Sequence, residues 1–287
     1  MCRLLGWVAR QPITAREALG DDSLAAFRKL AQLHADGWGI AYDGVDSPIV
    51  ERSTRRADTD PAFTKATNVT PTRVGIIHLR WATPGLPVEL RNTHPFQHGP
   101  YVFAHNGSIK PAKDLDDILT PRWQGQLHGT TDSERYFLAI LAELDRNGTD
   151  VPTAATRVAT RLTREFQPSS LNALLGTPTA LYVINCHDPA TAPYATPISP
   201  GSIAESVAVD HATYHDLHYR VTSDAVVVAS SGFITPEVDG WQMLPNDTIL
   251  VIDRDTLATR QIHMGSGLGT TTTVATRRRP DNIQKDS

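Results

Sequence analysis

Cysteine is scarce in this chain, and so are long apolar runs. Among its 287 residues only Cys2 and Cys186 carry thiols, so the disulfide framework that staples small exported domains is excluded, although a single bridge between the two stays open. Ala225-Val226-Val227-Val228-Ala229 is among the longest apolar stretches. A bilayer-crossing helix needs about 20 such residues, so no membrane partner is expected. No basic segment followed by an apolar stretch of the signal-peptide kind opens the chain, and the expected location is cytoplasmic. Positive charge is not in surplus either. Lys and Arg number 27 against 31 Asp and Glu, a net charge of −4, which argues against a general nucleic-acid binder. A phosphate-binding glycine loop, a flavin or nucleotide fingerprint and an internal repeat are all missing. What is present, 40% hydrophobic and 20% charged residues, is the composition of a soluble globular protein long enough for one large or two ordinary domains.

The pattern along the chain is strand-rich. Leu4 to Ala9, Trp38 to Tyr42, Ile49 to Arg52, Val74 to Trp81 and Tyr101 to His105 read as strands in the first half, with Asp43-Gly44 turning the second into the third. A helical stretch from Ile13 to Gln32 breaks near Gly20-Asp21-Asp22-Ser23, where Asp22 or Ser23 is expected to cap the second piece. Asp132 to Asp145 carries Tyr136, Ile140 and Leu144 at helical spacing and is stopped by Asn147-Gly148; Pro152 opens a further helix to about Phe166. Ala180 to Asn185, Tyr219 to Thr222, Ala225 to Ser230, Thr248 to Ile252 and Thr259 to Met264 are short β-branched strands. Several antiparallel strands and a few helices without regular βαβ alternation indicate an α+β layered fold. From Gly265 to Ser287 the chain is Gly/Ser/Thr-rich and then basic at Arg277-Arg278-Arg279, which reads as a disordered tail behind a single domain of residues 2–264.

The chemistry begins at Met1-Cys2. Removal of the initiator methionine, which is efficient before a small side chain, leaves a thiol and a free α-amine on one residue. The thiol titrates near about 8.5 and the amine near about 7.7–8.0, so the amine can serve as the base that makes the sulfur a nucleophile. Four further segments carry groups suited to such a reaction. Ile76-Ile77-His78-Leu79-Arg80-Trp81-Ala82-Thr83 delivers a guanidinium, an indole and a hydroxyl into a loop, and an arginine grips a carboxylate in a bidentate fork. Asn92-Thr93-His94-Pro95 leads into Tyr101-Val102-Phe103-Ala104-His105-Asn106-Gly107, whose side-chain amide and glycine N–H can both donate to an oxyanion. Thr131-Asp132-Ser133-Glu134 opens a helix with a carboxylate that can hold an ammonium group. His34-Ala35-Asp36-Gly37-Trp38-Gly39 ends a helix, and its aspartate is read as support for the site. Read singly, each segment has a plainer role: a small apolar residue, a surface ion pair, a turn, a helix cap. His211, His215 and His218 have zinc-like spacing only if helical, and a polar loop is the preferred reading.

Together, in their order and spacing over residues 2–135, these segments resemble the class II glutamine amidotransferases, the N-terminal-nucleophile glutaminases. The resemblance implies a four-layer αββα sandwich of two antiparallel sheets. It implies that Cys2 attacks a γ-carbonyl to form a glutamyl-thioester, with Asn106 and Gly107 as oxyanion hole. Arg80, Thr83 and Trp81 are then expected to hold the α-carboxylate of the glutamyl group, Asp132 its α-ammonium, and His94 to line the pocket. No metal or organic cofactor is implied. Long members of the family carry an acceptor domain behind the glutaminase, and no such domain is expected within these 287 residues. The preferred expectation is a self-contained amidohydrolase acting on glutamine or a γ-glutamyl small molecule, resembling the short ergothioneine-pathway γ-glutamyl hydrolase. The alternatives are a glutaminase subunit feeding ammonia to a separate synthase and an inactive binding homologue.

Overall fold

The computed structural model describes residues 2–82, 85–146, 148–191, 213–234 and 240–267. Its first sheet contains β1 (Arg3–Ile13), β2 (Trp38–Tyr42), β3 (Ile49–Ser53) and β4 (Thr72–Leu79). Its second takes β5 (Phe96–His98) and β6 (Tyr101–Asn106), and β7 (Ile109–Lys110) and β8 (Gln167–Pro168) form a small ribbon apart. The chain then adds β9 (Asn172–Gly176) and β10 (Ala180–Asn185) to the second sheet, β11 (Leu217–Val221), β12 (Ala225–Ser230) and β13 (Gln242–Met243) to the first, and β14 (Thr248–Asp253) and β15 (Thr259–His263) to the second. The strand orders are β13-β11-β12-β1-β4-β2-β3 and β15-β14-β10-β9-β6-β5, with every recorded pairing antiparallel.

Alternation along the strands builds the layers. On β1, Leu5, Trp7 and Ala9 join the core under helices α1 (Ala15–Leu19), α2 (Asp21–Lys29) and α3 (Pro61–Val69). Leu4 and Val8 point the other way and meet Val102, Leu174 and Leu181 of the second sheet. The outer face of the second sheet packs Phe103, Leu175 and Ile184 against α5 (Asp132–Asp145) and α6 (Val151–Glu165), with the short α4 (Pro121–Gln124) alongside. Helices, two sheets and helices again make the four-layer αββα sandwich. Because the sheets are covered on both faces, β1 and β12 read as continuous apolar runs rather than as an alternation of polar and apolar residues.

Helix starts follow their caps. Thr131 accepts from Glu134 N (3.2 Å) ahead of α5, and Asp150 accepts from Thr153 N (2.9 Å) ahead of α6. The expected cap at Asp22 or Ser23 is corrected: Thr14 makes a capping box with Glu17 at α1, and α2 starts from Gly20 with Asp21 and Asp22 already in its first turn. Their carboxylates are favoured there by the helix dipole, so an aspartate such as Asp22 fits the first turn as well as a cap. Helix α3 was not anticipated, although Asp60 as cap and Pro61 in the first turn are its signature. Asn147 and residues 268–287 of the expected tail lie outside the described residues. No helix among the described residues is long and apolar enough to cross a membrane.

Candidate active site

Antiparallel pairing decides where the first residues land. Arg3 lies opposite Leu79, and Leu79 opposite Trp38, so the start of β1, the start of β2 and the end of β4 meet at one end of the first sheet. The end of β6 faces them from the second sheet. There Cys2 N donates to Asn106 Oδ1 at 2.9 Å, a hydrogen bond between residues 104 positions apart that ties the two sheets together. The Cys2 thiol is buried and lies 3.7 Å from the Trp81 carbonyl oxygen. Burial pushes the thiol above its ordinary value, and the nearby Arg80 charge opposes that rise. The resting sulfur is therefore protonated and needs a base. Cys2 and Cys186 are both free thiols, so the bridge between them is excluded. Cys186 sits on Ser266 Oγ (3.2 Å), pushed up to about 12 by burial.

Asn106 uses one end of its amide only. Its Nδ2 is buried without a hydrogen-bond partner, an arrangement that costs about 1–3 kcal/mol unless something else occupies the donor. Beside it, a methyl on Gly107 would stand 2.0 Å from Ser170 O and 2.7 Å from His105 Nε2. Only glycine permits that approach. His105 braces this loop. Its Nε2 lies 2.9 Å from Ser170 O and its Nδ1 2.9 Å from Ser133 Oγ. A carbonyl can only accept, so Nε2 carries the proton and Nδ1 receives the serine hydroxyl.

Asp132 begins α5 and is almost wholly buried; its Oδ2 accepts from Ile109 N at 2.6 Å, and Ser133 Oγ approaches Oδ1 at 3.4 Å. The helix is held to β6 by aromatic packing. Phe103 stacks on Phe137 with centroids 5.2 Å apart and meets Tyr136 edge-on at 5.2 Å. Across the site, Arg80 is buried and donates only to carbonyl oxygens, to Pro87 at 3.1 Å and to Asp36 at 3.4 Å; it makes no ion pair among the described residues. The segment before β2 clasps this arginine. Arg80 N donates to Gly37 O (2.8 Å), Asp36 N to Arg80 O (3.1 Å) and Ala82 N to Asp36 Oδ2 (2.8 Å). Asp36 thus holds the loop that carries Arg80 and Ala82.

The remaining site candidates divide. Trp81 is partly exposed, with the His34 ring edge-on at 5.7 Å. His94 is buried between His78 (4.2 Å) and Phe96 (4.6 Å), has no partner on either ring nitrogen, and burial holds it neutral, well below its usual value. Thr83 lies outside the described residues. His211 does too, while His215 sits in a turn and His218 on β11, so the helical zinc pattern does not form. Among the described residues no group of three His, Cys, Asp or Glu side chains is placed to hold a metal. Sequence reasoning missed Arg3, Ser133, Ser170 and Tyr214. The one signal it had was a charged side chain opening an otherwise apolar strand.

The His94-Pro95 segment lies directly on β2, since a methyl on Gly39 would stand 2.0 Å from His94 O and 2.9 Å from Pro95 Cδ. Gly39→Ala is expected to destabilise the fold by about 1–3 kcal/mol through overpacking against backbone. Urea unfolding measures this, and an unchanged midpoint would mean the segment yields freely.

A buried thiol, an amide whose Nδ2 has no partner among the described residues, and a guanidinium and a carboxylate close enough to act on that thiol are gathered at one end of a four-layer sandwich. Among known proteins, the family described as "Glutamine amidotransferases class-II" matches residues 1–264, and the chain belongs to that family. It is 35% identical over 156 residues to a putative glutamine amidotransferase of Haemophilus influenzae, covering 51% of this chain and 49% of that one. It is 31% identical over 119 residues to the gamma-glutamyl-hercynylcysteine sulfoxide hydrolase of Mycobacterium tuberculosis, covering 39% of this chain and 51% of the hydrolase. The match thus spans about half the length of each of these relatives. A glutamine aminotransferase class-II domain protein from Silicibacter pomeroyi has the same fold, with a TM-score of 0.59 at 20% identity over 91% of this chain and 99% of that one.

Proposed function

We propose that this chain is a cysteine-nucleophile amidohydrolase that cleaves the γ-amide of glutamine or of a γ-glutamyl small molecule through a glutamyl-thioester. The observation that carries this reading is the hydrogen bond from Cys2 N to Asn106 Oδ1, which leaves Asn106 Nδ2 unpartnered beside the thiol. In a chain whose first residue is Cys2, that nitrogen is the α-amine. It takes the thiol proton as Sγ attacks the γ-carbonyl carbon. The carbonyl oxygen becomes an oxyanion received by Asn106 Nδ2 and Gly107 N–H. The amine then passes its proton to the leaving nitrogen as the C–N bond breaks. Water, deprotonated by the same amine, resolves the thioester and releases glutamate.

A γ-glutamyl group is a zwitterion at its far end. Arg80, a buried cation with no ion pair among the described residues, suits the α-carboxylate, with Trp81 next to it in the chain; Thr83, outside the described residues, is assigned to the same group from the sequence alone. Asp132, with one carboxylate oxygen tied to Ile109 N, suits the α-ammonium, and neutral His94 lines the pocket. The similarity to a γ-glutamyl hydrolase supports this substrate class. Asp132→Ala is expected to lower kcat/KM for glutamine by about ten- to hundredfold, the value of a hydrogen bond to a charged group, chiefly through KM.

A screen of glutamine and γ-glutamyl amines for glutamate release by the isolated chain is the direct test, and no release from any of them would end this reading. A second reading, an ammonia-delivering subunit of a separate synthase, draws on the exposed apolar side chains Trp81, Val88 and Leu90 that follow β4. Turnover that appears only when a partner is added would favour it.

A further inference from the structure

Arg3 has no part in the steps above, yet it is the most deeply buried Arg, Lys, Asp or Glu among the described residues. Side chains alternate along β1, so while Cys2 faces the second sheet Arg3 turns to the helical side with Leu5 and Trp7. Its side chain is 1% exposed. Nη1 donates to the Cys2 carbonyl oxygen at 3.3 Å and to the Tyr214 carbonyl oxygen at 3.4 Å, the guanidinium lies 3.9 Å over the Tyr214 ring, and Nε has no partner. It makes no ion pair among the described residues. Tyr214 does not neutralise it, because burial pushes that phenol up to about 12. Burying an uncompensated cation is costly, and an apolar side chain of similar volume is often the more stable choice. The position of this charge therefore calls for a use.

We propose that Arg3 is a positioning residue for the nucleophile: it grips the carbonyl of Cys2 from behind the strand and, as an unneutralised cation, keeps the adjacent α-amine in its free-base form. The inference rests on the amidohydrolase reading and deepens it. The other groups around the amine do not do this work. Burial keeps the histidines near it neutral: His78 on β4 and His215 before β11 are both held down to about 3, and His34 before β2 is held well below its usual value. His105 on β6 is lowered in the same way. Arg80 after β4 and Asp132 at the head of α5 carry opposite charges, and both are engaged once a zwitterionic substrate binds. Arg3 is the charge that persists through the cycle.

The sign is fixed. A nearby cation disfavours the ammonium form and so lowers the amine's titration point; removing it raises that point. In the mature chain, Arg3→Gln keeps a donor for the Cys2 carbonyl but removes the charge. It is expected to move the acid limb of kcat/KM for glutamine up by about one pH unit, a loss of about tenfold on that limb that is largely recovered at alkaline pH. KM should stay near its original value, because Arg3 lies on the opposite face of β1 from the thiol. Arg3→Lys, which restores the charge, should return the limb toward its original place. The pH dependence of Cys2 alkylation by iodoacetamide, followed by peptide mass mapping, should shift in parallel and needs no turnover. A chain that hydrolyses no γ-glutamyl compound would therefore sink the amidohydrolase reading while the alkylation limb still tests Arg3. A loss that is equal at all pH values, an unshifted alkylation limb, or an Arg3→Gln chain that does not fold would assign Arg3 a purely structural role and overturn the proposal.

Discussion

Cys2→Ala is expected to reduce glutamate release by roughly 10⁴–10⁶-fold, the range seen when a catalytic nucleophile is deleted and only binding and oxyanion contacts remain. The fold should survive. The sulfur's one recorded polar contact is the 3.7 Å approach to Trp81 O, and the hydrogen bond from residue 2 N to Asn106 is made by the backbone. Stability is expected to change by about 1 kcal/mol or less, as read by urea unfolding. A companion chain with an uncleavable extension before Cys2 retains the thiol but turns its amine into an amide, which is no base. It should be as inactive as Cys2→Ala. N-terminal mass spectrometry of each preparation is needed beside the assay, since the comparison is meaningful only where the first residue is known. Full activity in the extended chain would transfer the base role to another group.

Asn106→Ala is the second large effect. The amide has two jobs at once: Oδ1 receives Cys2 N, and Nδ2 waits beside the thiol. Losing one oxyanion donor costs about 2.7–4 kcal/mol of transition-state stabilisation, or about 10²–10³ in kcat. The amine also loses the acceptor that orients it, so the decrease should lie at or above the upper end of that range. KM should change little, because neither role involves the glutamyl zwitterion. Pre-steady-state kinetics with a chromogenic γ-glutamyl anilide separates the two roles: a slowed acylation burst is expected. An Asn106→Ala chain with a raised KM and an unchanged burst rate would move this residue from the reacting centre to the binding pocket.

The strand pattern was legible because the forces behind it are local. β-branched runs bounded by turns gave β2, β10 and β12 almost to the residue, and the four-residue spacing of Tyr136 and Ile140 gave α5. Polar signals at helix starts were less reliable. Asp22 or Ser23 as a cap is one such reading that fails, since polar side chains of this kind are favourable both at a cap and in the first turn, whereas the Asp60-Pro61 start of α3 goes unnoticed. Part of the site was legible as motifs carried by short segments, each ending in a loop at the same end of the sandwich. Arg3, Ser133, Ser170, Tyr214 and the bracing role of His105 were not, because their importance comes from long-range burial and pairing. Nothing near Arg3 in the chain reveals that Tyr214 covers it, and nothing near His105 reveals that it spans Ser133 and Ser170.

The central place of β1 in its sheet has a consequence for when the protein becomes reactive. Leu4 is fastened on one side to His78 and on the other to Ser230, whose hydroxyl takes up Leu4 N from 226 residues away. Cys2 is thus among the first residues to leave the ribosome, while a partner that fastens the next-but-one strand residue comes 226 positions after that residue. Until the segment carrying Ser230 has been made and paired with β1, the start of that strand lacks the hydroxyl that fastens Leu4 N and helps to hold Cys2 beside Asn106.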